Sequence, residues 1–235
     1  MLDPRILILC PLAEEWSILV RTFEPWHHVE RVHDLKIEAA YISEWRALVT
    51  TGGHGKTQFA VQAQYLIDVF QSIELVICAG AAGSLAPQLS VGDVVVGTET
   101  VEHDYRLLFA TRPLPRFPGH QSSIDALRRS ARSISDFRVT FDVIASGDED
   151  VVTSSRARAI RDQTGAACVA WEGSGAARAA HFNGLSSLEI RALTDAADKE
   201  APQKFDENLP IAMINLANLL QSWLDRHFPA DPTIR

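Results

Sequence analysis

The chemistry this sequence offers is concentrated in two glycine-rich stretches and in a few carboxylates that stand where apolar runs end. The first stretch, Gly52-Gly53-His54-Gly55-Lys56-Thr57, follows a strand-like run and opens a helical pattern, which is the setting of a phosphate-cradling loop. Its spacing rules that chemistry out: the phosphate motif requires a glycine where Thr50 stands, and no acidic partner strand for magnesium accompanies it. A tight strand-to-helix turn is the expectation. In the second stretch, Gly80-Ala81-Ala82-Gly83-Ser84 forms a loop after an apolar strand, and its small side chains let a flat ligand lie against backbone amides. Among the carboxylates, Glu14 and Glu15 open a helix, where the dipole favours negative charge. Glu172 follows Trp171 at the end of one apolar run, and Asp195 ends another, where an aspartate commonly caps a turn. Carboxylates so placed can exchange protons with a ligand on such a floor. The histidines, including the His27–His28 pair, lack ligand spacing around a common turn, so no metal and no cofactor is expected. Cys10, Cys78 and Cys168 form no C-x-x-C pair and are odd in number, so they read as buried packing thiols.

These groups need a scaffold, and the apolar periodicity supplies one. Strand-like runs recur at Arg5–Cys10, Lys36–Ile42, Ala47–Thr51, Leu75–Ala79, Asp93–Thr98, Val139–Ala145, Ala167–Trp171 and Ser187–Leu193. Helical patterns cover Glu14–Thr22, Lys56–Phe70, Ser122–Ser133, Ser154–Asp162, Ser174–His181 and Asp206–His227. Strands alternating with helices predict an α/β fold, one domain over residues 1–235, with a central mixed β-sheet flanked by helices. Ligands of such sheets collect at the carboxyl ends of the strands, where the candidate residues fall. One long irregular stretch, Leu107–Gln121, carries Pro113, Pro115, Pro118 and Gly119 and reads as a lid or contact loop.

Composition narrows the function class. With 22 basic and 30 acidic residues the formal charge is −8, which disfavours nucleic acid as a partner. No apolar run approaches the ~20 residues of a membrane span, and the first residues enter a strand without a signal segment, so a cytoplasmic protein with no membrane partner is expected.

In order and spacing, Leu75–Asp104, the Cys10-Pro11-Leu12-Ala13-Glu14-Glu15 strand end, Ser146-Gly147-Asp148, Val169-Ala170-Trp171-Glu172-Gly173 and Arg191-Ala192-Leu193-Thr194-Asp195-Ala196-Ala197-Asp198 resemble the nucleoside phosphorylase superfamily. Within it they are most similar to the nucleosidases that cleave methylthioadenosine and S-adenosylhomocysteine. The resemblance implies a purine nucleosidase that hydrolyses the N-glycosidic bond of a 5′-substituted adenosine. Glu15 matches the glutamate that activates water, Glu172 the one that holds the ribose hydroxyls, and Asp195 the acid that protonates the departing purine. Ala82 and Gly83 match the floor of the site, Trp171 and Phe205 its walls, with Phe205 at the 5′ end, and Val151 a backbone reader of the base. The departures are Asp150 at the family's aromatic position, Ala170 in place of a glutamate and Trp171 in place of a methionine.

Phosphorylases of this superfamily carry a phosphate-binding arginine where this chain has Cys78, and a carboxylate in the first loop repels phosphate, so water is the expected acceptor. A phosphorylase of the same fold and a non-catalytic nucleoside sensor remain the rival readings. The resemblance also implies a homodimer or an assembly of dimers, in which the apolar Leu107–Gln121 segment reaches the partner's site near Phe205.

Overall fold

The computed structural model describes residues 2–227. Among these residues, ten strands and six α-helices follow in the order β1 (Ile6–Cys10), α1 (Ala13–Phe23), β2 (Val29–Val32), β3 (Ala39–Ile42), β4 (Ala47–Thr51), α2 (Lys56–Val69), β5 (Leu75–Ser84), β6 (Val94–Glu102), β7 (Arg116–Pro118), α3 (Gln121–Ala131), β8 (Val139–Ser146), α4 (Ser154–Thr164), β9 (Cys168–Ala170), α5 (Gly173–Phe182), β10 (Ser186–Asp195) and α6 (Ala201–His227). All ten strands join one mixed sheet, as the alternating pattern predicts.

The long strand β5 is the hinge of the topology. Its first half runs parallel between β1 and β10, and its last residues, Gly83 and Ser84, turn to pair antiparallel with β9. Because β10 pairs with β6, β6 with β8 and β8 with β9, the strands close into a ring, from which β1, β4, β3 and β2 extend as a wing.

Two-residue periodicity explains why β1 is apolar throughout. Ile6, Ile8 and Cys10 face a core completed by α1, α3 and α6, while Leu7 and Leu9 face a second core under α2 and α5. A strand sandwiched between two helical layers has no polar face to offer. Each fully buried leucine or isoleucine contributes about 1.5–3 kcal/mol, and the centre of the sheet that these residues anchor carries the floor of the site.

Four expectations need correction. Gly80–Ser84 is not a loop: β5 continues through Ser84, because β10 stays in register with it along nearly its whole length. The Lys36–Ile42 run is a strand only from Ala39, and the polar segment Val29–Val32 pairs with it as the edge strand β2, too short and too exposed to show a period. The Leu107–Gln121 stretch is not irregular throughout, since Arg116–Pro118 pairs with the edge of β6 and α3 begins at Gln121. Finally, α6 begins at Ala201 rather than Asp206: the Asp198 carboxylate accepts the Glu200 amide, and Pro202 falls in the first turn, where a missing N–H is harmless.

Candidate active site

A cavity of about 340 Å³ opens at the carboxyl ends of β1, β5, β8, β9 and β10. Glu15, Ala82, Gly83, Val151, Trp171, Glu172, Asp195 and Phe205 all line it. The structure therefore brings together every site residue picked out in the sequence, from segments up to 190 positions apart.

Glu15 reaches the cavity from the first turn of α1. One carboxylate oxygen accepts the Ala81 amide at 2.7 Å, and the other accepts the Leu12 amide at 2.9 Å, satisfying an orphan donor of the helix end. Burial pushes its pKa up from 4.5 to about 7, with Glu172 adding to the rise while the two amides and Arg191 oppose it. Gly80 makes this position possible: a β-carbon there would sit 2.8 Å from Glu15 Oε1 and 2.9 Å from an Arg191 nitrogen. The small residues of β5 thus admit neighbouring side chains of the site as well as a ligand.

Asp195 ends β10 opposite Gly83, whose own β-carbon would lie 2.9 Å from Asp195 Oδ1. Its two oxygens accept the Thr194 hydroxyl and the Ala197 amide, each at 2.8 Å. The turn-capping role and the cavity-lining role coexist in one carboxylate. Burial raises its pKa, assisted by Asp198 and opposed by those two hydrogen bonds, so its acid form is favoured relative to a free aspartate. The turn beyond it is strained, since Ala197 lies in the left-handed region at φ 50° and is not glycine.

Glu172 precedes α5. Its Oε1 accepts the Gly55 amide at 3.2 Å and its Oε2 accepts from the Arg191 guanidinium at 3.1 Å. The cavity's aromatic wall is a stacked pair, Trp171 on His54, with ring centroids 4.3 Å apart and 20° between planes. Asp150 also lines the cavity, so the segment that carries an aromatic ring in the resembling family here presents a carboxylate beside Val151.

The Gly52–Thr57 turn is a tight strand-to-helix connection with Gly53 and Gly55 at φ near +80°. The Lys56 ammonium is engaged by Glu102 and Asp104. Two groups of the site carried no signal of their own in the sequence. His54 lay hidden in a turn read only for phosphate. Arg191 was noted only as part of a motif, yet it is buried and lines the cavity, and its guanidinium donates to Glu189, Glu172, Cys78 Sγ and the Ala81 carbonyl. Burial opposes its charge, but the carboxylates Glu189, Glu172 and Glu15 around it outweigh that penalty and keep it cationic. An arginine does stand beside Cys78, contributed by the adjacent strand.

The family model of the phosphorylase superfamily matches residues 5–225. A 5′-methylthioadenosine/S-adenosylhomocysteine nucleosidase of Anoxybacillus flavithermus is 32% identical over 177 residues, 72% of this chain and 76% of the relative. The solved structure of the nucleosidase of the same description from Neisseria meningitidis, in complex with methylthio-immucillin-A, superposes with a TM-score of 0.83 at 29% identity, covering 94% of this chain and 98% of that one. Futalosine hydrolase of Helicobacter pylori shares the fold at a TM-score of 0.85 and 24% identity, over 96% and 99% of the two chains.

Proposed function

The chain belongs to the phosphorylase superfamily, and from that premise we propose that it is a purine nucleosidase that hydrolyses the N-glycosidic bond of a 5′-substituted adenosine, methylthioadenosine and S-adenosylhomocysteine being the first substrates to test. The observation that carries hydrolysis over phosphorolysis is the charge around Arg191. Three buried carboxylates, Glu15, Glu172 and Glu189, surround this one guanidinium. A phosphate dianion entering there meets surplus negative charge and a cation already engaged. Water meets neither obstacle.

The cavity lining supports the following roles. The base rests on Ala82 and Gly83, and its edge is read by backbone groups at Val151. Asp195, its acid form favoured by burial, protonates the purine as the bond to the sugar stretches. Glu172 uses the lone pairs left by its long contacts to Gly55 and Arg191 to accept the ribose hydroxyls, and its charge faces the developing oxocarbenium ion. Glu15, with a pKa of about 7, is matched to removing a proton from the attacking water near neutrality. Trp171 and Phe205 close the walls around the sugar and its 5′ substituent.

The reading includes a homodimer. Val61, Leu108, Phe109 and Phe182 are exposed, and Val61 and Phe182 flank a groove whose floor includes Phe117 and Ala179. Apolar surface of this kind supports a symmetric contact in which the Leu107–Gln121 segment reaches the partner's site near Phe205. It also includes a cytoplasmic location, which fits three buried unpaired thiols.

Incubation with methylthioadenosine, S-adenosylhomocysteine, adenosine and inosine, with and without phosphate, tests the reading. Free base and free sugar in phosphate-free buffer are expected. A ribose 1-phosphate product with an absolute phosphate requirement overturns hydrolysis, and tight binding without base release makes the protein a sensor.

A further inference from the structure

Of the three carboxylates around Arg191, Glu189 alone does not line the main cavity. It lies two residues before Arg191 on β10, hence on the same face of the strand. One of its oxygens accepts from Arg191 Nε at 2.8 Å, and the other accepts from the Thr100 hydroxyl of β6 at 2.5 Å. Room for the carboxylate comes from α5, where a β-carbon on Gly173 would stand 1.9 Å from Glu189 Oε2. A buried charge held from three elements, with space kept for it by a glycine, is a built feature.

The guanidinium is divided unequally. Its contact with Glu189 is short, whereas those with Glu172 at 3.1 Å, Cys78 at 3.2 Å and the Ala81 carbonyl at 3.3 Å are at the long end for charged donors. We propose that Glu189 is a positioning residue: by holding the Nε edge of Arg191 from behind, it keeps the guanidinium from closing onto Glu172 and so leaves that carboxylate open to a vicinal diol. Without Glu189, the only carboxylate among the described residues within hydrogen-bond reach of Arg191 is Glu172, and a tightened pair there occupies the oxygen that a ribose hydroxyl needs. The assignment rests on the nucleosidase reading for the identity of the diol.

The test compares 5′-methylthioadenosine with its 2′-deoxy counterpart in Glu189→Ala and Glu189→Gln. The preference for the ribonucleoside in kcat/KM is expected to fall at least five-fold in Glu189→Ala. It should recover by more than half in Glu189→Gln, whose carbonyl still accepts from Nε. The affinity for free adenine should stay within two-fold throughout, as a general loss of folding would not allow. A ribo-to-deoxy preference unchanged in folded Glu189→Ala, or no recovery in Glu189→Gln, overturns the proposal. Should Glu189→Ala fail to fold, Thr100→Val keeps the side-chain shape while freeing the far oxygen of Glu189. It must lower the preference at least two-fold, and an unchanged preference there is equally fatal. Calorimetric binding of both nucleosides, with each variant placed in an Asp195→Asn background, gives the same ratio without turnover. A wild type that releases no base therefore sinks the nucleosidase reading alone, while a flat binding ratio sinks the role of Glu189.

Discussion

Burial holds the Glu15 carboxyl at about 7 in the folded protein against 4.5 for the free side chain, and that difference has a measurable consequence before any substrate is known. In the unfolded chain Glu15 loses its proton near 4.5, while in the native state it keeps it to about 7. Between those values the native state binds more protons, so the contribution of Glu15 to stability falls as pH rises and levels off above about 7. At about 1.4 kcal/mol per pH unit, the loss over this interval is about 3 kcal/mol. Glu15→Gln cannot titrate, so its stability lacks this slope. Glutamine can accept only one of the Leu12 and Ala81 amides, since its NH2 turns a donor toward the other, and this adds a constant cost. The constant drops out of the comparison. Urea unfolding of both proteins from pH 4.5 to 8.5 should show the stability of Glu15→Gln minus that of wild type increasing by about 3 kcal/mol across the range, with m unchanged. Parallel stability curves would refute a raised Glu15 and with it the proposed base. The same pKa places the acid limb of wild-type kcat/KM near 7.

The remaining carboxylates make separate predictions. Asp195→Asn keeps the size of the group and its contacts to Thr194 and Ala197 but removes the transferable proton, so kcat should fall by about 10² to 10⁴ with ligand affinity little changed; single-turnover base release checks this, and an unaltered kcat moves leaving-group activation elsewhere. Loss of one ribose hydroxyl bonded to Glu172 should cost about 1.5–3 kcal/mol; deoxynucleosides are therefore expected to be poor substrates of wild type, Glu172→Gln should narrow the preference, and equal kcat/KM in wild type would remove Glu172 from the sugar site. Gly173→Ala tests the packing around Glu189: alanine ordinarily favours a helix by about 1 kcal/mol over glycine, but here its methyl meets the Glu189 carboxylate, so a net destabilisation of about 1–3 kcal/mol should appear in thermal unfolding, and a stabilised variant would contradict the placement of Glu189.

Much of the molecule was legible in order along the chain. The two-residue and 3.6-residue periods of apolar side chains marked the central strands and all six helices, because those elements bury one or both faces and the sequence must record it. What escaped were elements that bury little: the edge strands β2 and β7 hold together through backbone pairing with a neighbour, which leaves no trace in side-chain pattern. The early start of α6 follows a turn in which Asp198 accepts the Glu200 amide, a contact as local as any but without an apolar period to announce it.

The site divides along the same line. Glu15, Glu172 and Asp195 stood at strand or helix ends in a recognisable order, and the cavity contains all three. Gly80 and Gly83 were visible as small residues, but the sequence implied that a ligand alone filled the space. Strand pairing instead brings Glu15, Arg191 and Asp195 onto those same glycines. Likewise the stack of His54 on Trp171, and the enclosure of Arg191 by carboxylates from three different elements, exist only once β5 has paired with both β1 and β10. A sequence determines which charges a chain owns and which of its faces must be buried. How strongly those charges couple depends on distance and on water excluded between them, and the tertiary structure alone decides both.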